Sequence, residues 1–93
     1  MSITRINEFK SAENKDEELF KFLKSLIPYI SSSDGCLSCE VLQSLENSSN
    51  FIVIEKWKSI EFHKKSIDGF PKEDMQSAMS LFGAPPKGDY FDT

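Results

Sequence analysis

The sequence predicts an α+β domain built on a four-stranded antiparallel sheet. Three observations carry that reading. Strand-like runs stand near both ends and a hairpin stands in the middle. Stretches with helical spacing of apolar residues separate them. One strand, beginning Phe51-Ile52-Val53-Ile54, is apolar on both faces and expects cover on both sides.

The first strand is read over Thr4 to Lys10. Ile3 and Phe9 share a face with Arg5 and Asn7 between them, and Ile6 takes the other face. Polar residues within an apolar row either meet water or line a cavity. Ser11 to Lys15 is a polar connection. Asp16 to about Ser31 reads as a helix, because Leu19, Phe22, Leu23, Leu26 and Ile30 follow helical spacing. Asp16, Glu17 and Glu18 complement the dipole of its first turn. Pro28 should kink or end it, and Ser31-Ser32-Ser33-Asp34-Gly35 is a stop.

Cys36 to Leu45 is the second strand, with Leu37, Cys39, Val41 and Leu45 expected inward. Glu46 to Asn50 is a turn cluster, and Phe51 to Lys58 completes a hairpin. The helices of so short a chain can cover one sheet face. The face holding Phe51, Val53 and Trp57 is expected to need a lid from a second subunit. Ser59 is a fair N-cap for a helix from Ile60 to about Ile67, broken at Gly69. Pro71 suits the first turn of another helix, where Met75, Ala78, Met79 and Phe82 repeat on one face. Gly83 is placed as its C′ residue. Gly88 to Asp92 supplies a last strand. The order β, α, β-hairpin, broken α, β is the split βαβ arrangement called ferredoxin-like.

A length of 93 residues leaves room for one domain, residues 1–93. A chain this small buries only about 60–68% of its unfolded surface, so a second subunit is the usual aid to stability. The net charge is -4, and the ten lysines and single arginine, Arg5, are scattered. No basic stripe offers itself to nucleic acid, and the acidic balance disfavours anionic membranes. No apolar run approaches a membrane span, and the first residues show no signal-peptide pattern, so the expected location is the cytoplasm. Cys36 and Cys39 have C-x-x-C spacing but open a strand. Residues three apart on a regular strand point to opposite faces, so the pair is expected to stay reduced and structural.

The segment Gly35-Cys36-Leu37-Ser38-Cys39-Glu40-Val41-Leu42-Gln43-Ser44 is similar to the G-C-x-x-Y-E-x-x-x-S hairpin start of the antibiotic biosynthesis monooxygenase family. Phe51 to Ser59 resembles the next block of that family, F-x-x-x-E-x-W, and Pro85 to Phe91 resembles its tail. The resemblance spans nearly the whole chain. Cys39 departs from it where an aromatic is common. Ser66 stands where a histidine is frequent, with His63 three residues earlier, and Gly69-Phe70-Pro71 replaces a P-H-F landmark.

The resemblance implies a homodimeric α/β barrel in which two sheets pack face to face. Each subunit then keeps a cavity between its sheet and its shorter helices. The implied activity is cofactor-independent monooxygenation of a quinol or polyketide-like aromatic by O₂, without metal or flavin. The alternative is a dimeric module of the same fold that binds a small ligand without turnover. Gln76 or a neighbour stands where haem-degrading relatives carry an axial histidine, and no zinc-ligand spacing is present.

Such chemistry needs a dry pocket, a group that accepts or steers a proton, and donors that hold an anion. The resemblance places Asn7 and Trp57 at pocket positions. Asn7 can donate to a substrate oxygen, or be a solvated strand residue. Trp57 can stack on a ring and donate through its indole N–H, or be a core or interface aromatic. His63 is the side chain suited to base work near neutrality, or an exposed helix histidine. Arg5 can hold an oxyanion or carboxylate, or pair with Glu55. Phe51, Val53 and Phe82 are the apolar residues expected to contact substrate. Glu40, Glu55 and Asp89 lack any spacing that sets them apart from surface charge.

Overall fold

The computed structural model describes residues 2–92. Four strands form one antiparallel sheet: β1 (Ile3–Lys10), β2 (Cys36–Gln43), β3 (Asn50–Trp57) and β4 (Lys87–Asp92), in the order β2-β3-β1-β4. Between β1 and β2 lie α1 (Asp16–Ser25) and α2 (Ile27–Ser32). Between β3 and β4 lie α3 (Ile60–Gly69), α4 (Lys72–Ala78) and a single 3₁₀ turn, Met79–Leu81. This is the α+β ferredoxin-like fold that the element order predicts.

The break between α1 and α2 falls at Leu26, two residues before Pro28. Proline cannot donate a backbone bond, and its ring crowds the carbonyl four residues back. The chain therefore restarts its helix with Pro28 in the first turn. Leu26 tightens the junction by donating to Leu23 O at 3.1 Å.

Register divides the sheet into two faces. In β3, Phe51, Val53, Glu55 and Trp57 point toward the helices, and all four are buried. Phe9, Asn7, Arg5 and Ile3 stand opposite them on β1. The core is Leu19 and Leu23 of α1 against Phe51 and Val53, with Phe20 tilted on Phe51 and Phe9 on Phe82. Phe51, Val53 and Trp57 thus already have a lid within the chain, contrary to the expectation from sequence. The face without cover carries Ile6, Leu42, Ile52, Ile54 and Phe91, of which Leu42, Ile52 and Phe91 are 46%, 37% and 46% exposed.

Four local expectations change. A bulge between Cys36 and Ser38 turns Leu37 outward. Leu45 lies beyond the end of β2 and is fully exposed. Met75 and Met79 face solvent, while Ala78 of the same stretch is buried. Gly83 does not adopt the left-handed conformation of a C′ cap; of the described residues only Gly35 (φ 82°) and Asn14 (φ 64°) have positive φ. Gly83 is there because a Cβ would lie 2.4 Å from the Ser11 carbonyl oxygen. That close approach lets its N–H donate to Lys10 O at 2.7 Å.

Candidate active site

The helix-facing row of β3 does not remain apolar. After Phe51 and Val53 it presents Glu55, then Trp57, both buried. Strand alternation alone puts Glu55 inward, and its neighbours decide how it is satisfied. Trp57 Nε1 donates to Glu55 Oε1 at 2.9 Å, and Asn7 Nδ2 donates to Glu55 Oε2 at 3.0 Å. Arg5 Nε donates to Asn7 Oδ1 at 2.9 Å. Asn7 therefore bridges the cation and the carboxyl.

From α3, His63 reaches the same point. Its ring lies 5.5 Å from that of Trp57, and its Nε2 is 3.8 Å from Glu55 Oε1, too far for a hydrogen bond. Its Nδ1 sits 2.7 Å from the Tyr90 hydroxyl. Tyr90 enters from β4, directly opposite Arg5, and the Arg5 guanidinium lies 4.6 Å over its ring. Six side chains from three strands and one helix thus form one polar cluster against the apolar core.

Burial sets the electrostatics. It pushes the Glu55 carboxyl above the ordinary carboxylate range, and the bonds from Trp57 and Asn7 and the charge of Arg5 only partly offset this. Burial, with Arg5 nearby, depresses His63 to about 4. His63 is neutral near pH 7, so its approach to Glu55 is not an ion pair. A hard-to-ionise carboxyl beside a neutral imidazole is an arrangement that can accept and pass protons.

The cysteines end on this side of the sheet as well. The bulge sets Cys36 opposite Trp57 and Cys39 opposite Glu55, so both point the same way rather than to opposite faces. Both are free. Burial and the neighbouring Glu55 push both thiols up, Cys39 to about 12, which leaves them weak nucleophiles. Among the described residues no group of His, Cys, Asp or Glu is arranged to hold a metal ion.

Of the residues singled out from sequence, Arg5, Asn7, Trp57 and His63 come together here. Phe51 and Val53 lie further along β3 within the core, and Phe82 packs on Phe9 beyond them. His63 is only 4% exposed, not a surface histidine. Sequence reasoning missed Glu55 and Tyr90. The signal for Glu55 was its place between Val53 and Trp57 in the inward row; Tyr90 gave none, since its partner lies 27 residues away. Two hollows, of about 610 and 380 Å³, both open partly onto the uncovered sheet face, and no member of the cluster lines either.

No curated protein matches the chain. Solved structures do. A candidate antibiotic biosynthesis monooxygenase from Nitrosomonas europaea superposes with a TM-score of 0.90 at 14% identity, covering 99% of this chain and 89% of that one. A conserved protein from Methanosarcina mazei gives 0.88 at 21% identity, over 100% and 93%. SnoaB, a cofactor-independent oxygenase from Streptomyces nogalater, gives 0.82 at 12% identity, over 99% and 92%. At these identities the likeness establishes the fold. The family model for antibiotic biosynthesis monooxygenase matches residues 2–68, a span running from the start of β1 into α3 and holding Arg5, Asn7, Glu55, Trp57 and His63. By that match the chain belongs to the antibiotic biosynthesis monooxygenase family.

Proposed function

We propose that the protein is a monooxygenase that uses O₂ directly on a quinol- or naphthol-like aromatic, and that it works as a homodimer. The observation that carries this reading is the Glu55 carboxyl, buried, doubly hydrogen-bonded and displaced upward in pKa. A base with a raised pKa is better matched to a weakly acidic phenol than an ordinary carboxylate is. Glu55 accepts the proton, Asn7 and Arg5 stabilise the resulting anion, Tyr90 meets the ring at the edge of the cluster, and the fully buried Trp57 holds Glu55 through its indole N–H. The electron-rich anion gives one electron to O₂, and the radical pair combines at a ring carbon. Loss of water converts the phenol and an adjacent or para C–H into two carbonyls, with the second oxygen atom leaving in that water. His63, neutral and bonded to Tyr90, is placed to relay protons between Glu55 and the site's edge.

The uncovered sheet face supports the dimer. Ile6, Leu42, Ile52, Ile54 and Phe91 form an apolar surface that stays partly exposed among the described residues, and such a surface on a small domain favours association.

Oxygen consumption with dihydroxynaphthalene is the direct test. Uptake well above autoxidation that is lost in Glu55→Gln supports the reading; uptake equal to the buffer rate sinks it. A second reading, ligand binding without turnover, draws on one observation. No buried side-chain polar atom lacks a partner among the described residues, so the buried atoms of the cluster are satisfied as they stand. Calorimetric binding of a naphthol without oxygen uptake would favour that reading.

A further inference from the structure

The one arginine of the chain is not used as arginines inside proteins usually are. Arg5 is half-buried, yet no carboxylate among the described residues lies within ion-pairing distance of it. Glu55, directly opposite on β3, is instead taken by Asn7 and Trp57. Asn7 accepts from Arg5 Nε, which fixes the guanidinium plane from one edge. Tyr90 fixes it from one face, 4.6 Å away. Neither terminal nitrogen donates to an acceptor among the described residues, and no buried side-chain donor is left without a partner, so both reach solvent.

Gly88 makes this placement possible. It stands opposite Asn7 on β4, and a Cβ there would lie 2.1 Å from an Arg5 terminal nitrogen and 2.5 Å from Asn7 Oδ1. Any other residue would push the guanidinium away. The result is an oriented pair of donors beside the Tyr90 ring and next to the proposed base. A planar fork of this kind matches a carboxylate with two parallel hydrogen bonds.

We propose that Arg5, held by Asn7, Tyr90 and Gly88, is a carboxylate-recognition residue, and that the ligand of this site is an aromatic acid whose carboxylate is attached to the ring. This names the substrate class for the proposed function and rests on that reading for turnover, but not for binding. The ring lies beside Tyr90, which is half-buried, while the carboxylate engages the Arg5 terminal nitrogens. Asn7 keeps Glu55 from competing for the same donors.

The test pairs two ligands of nearly equal shape, naphthoate and naphthamide, titrated by calorimetry into the full chain. Naphthoate should bind about tenfold more tightly or better, and the margin should shrink with added salt. Arg5→Gln should remove the margin, and Arg5→Lys should recover only part of it, since lysine lacks the fork. Gly88→Ala, which keeps the charge but displaces it, should also reduce the margin. Equal affinity for the two ligands in the unaltered protein, or a margin that survives Arg5→Gln, overturns the proposal. Oxygen uptake separates the two ideas. Turnover of dihydroxynaphthalene with no gain for dihydroxynaphthoate leaves the monooxygenase and removes the carboxylate site. An Arg5-dependent margin without oxygen uptake leaves the site and removes the monooxygenase.

Discussion

Trp57 and Glu55 stand two residues apart on the same face of β3, and the indole N–H of one donates to the carboxyl of the other at 2.9 Å deep in the chain. Tryptophan is thereby both part of the apolar interior and a donor to a buried carboxyl. Trp57→Phe keeps the ring and removes the donor. It should raise the Glu55 pKa further, since one bond that favours the charged form is gone. It should also cost roughly 1–3 kcal/mol of stability through the unpaired acceptor and the lost volume. Urea unfolding and the pH profile of oxygen uptake read the two effects. An unchanged profile would mean that the bond does not tune Glu55.

Glu55→Gln is the sharper change at the proposed base. An amide cannot accept a proton, and it cannot accept from both Asn7 and Trp57 without setting one N–H group against another. Oxygen uptake should fall by on the order of 100-fold or more, as for loss of a general base. Binding of a non-reacting naphthol should change far less. Parallel losses of binding and turnover would assign Glu55 a structural role instead.

His63 makes the fold sensitive to acid. Its folded pKa is pushed down to about 4, while in the unfolded chain it titrates near 6.5. Between those values the unfolded chain binds a proton that the folded chain refuses. Stability present above about pH 6.5 is therefore lost as pH falls toward 4 and then levels off, by up to about 3 kcal/mol. Glu55 works the other way. With its pKa raised above 4.5, the folded chain keeps a proton that the unfolded chain has released, so stability falls as pH rises through the raised value. His63→Phe should flatten the acid limb contributed by the imidazole and leave the Glu55 component. Denaturant midpoints from neutral to mildly acid pH, measured for both proteins, would expose parallel curves if His63 contributes nothing.

The uncovered sheet face predicts the solution mass. Sedimentation equilibrium should give about twice the 10.6 kDa chain. Ile52→Lys puts a charge on that face without touching the core, and should yield the single-chain mass at similar folded content. A monomer in the unaltered protein would remove the dimer from the proposed function.

Gly35 is the position where a backbone demand and a packing demand coincide. Its φ of 82° suits glycine, and a Cβ would stand 2.2 Å from Phe62 Cγ. Gly35→Ala should cost more than about 2 kcal/mol, from the strained backbone and the displaced ring together. A thermal midpoint within a degree or two of the parent would show that Phe62 moves freely.

The sequence alone determined the element order, the hairpin and the helix break near Pro28. Those follow from local periodicity and from residues that limit their own backbone, so nothing distant can overrule them. It also brought Arg5, Asn7, Trp57 and His63 under suspicion. Which face each strand row would bury was decided only by the tertiary structure, because alternation gives two rows and not their direction. The bulge after Cys36 was invisible for the same reason, and it set both cysteines on one side. Glu55 and Tyr90 became part of the site only when β1, β3, β4 and α3 converged. A carboxyl's burial, and so its pKa, depends on partners far along the chain, such as Asn7 48 residues away, as well as on a neighbour in its own strand, Trp57.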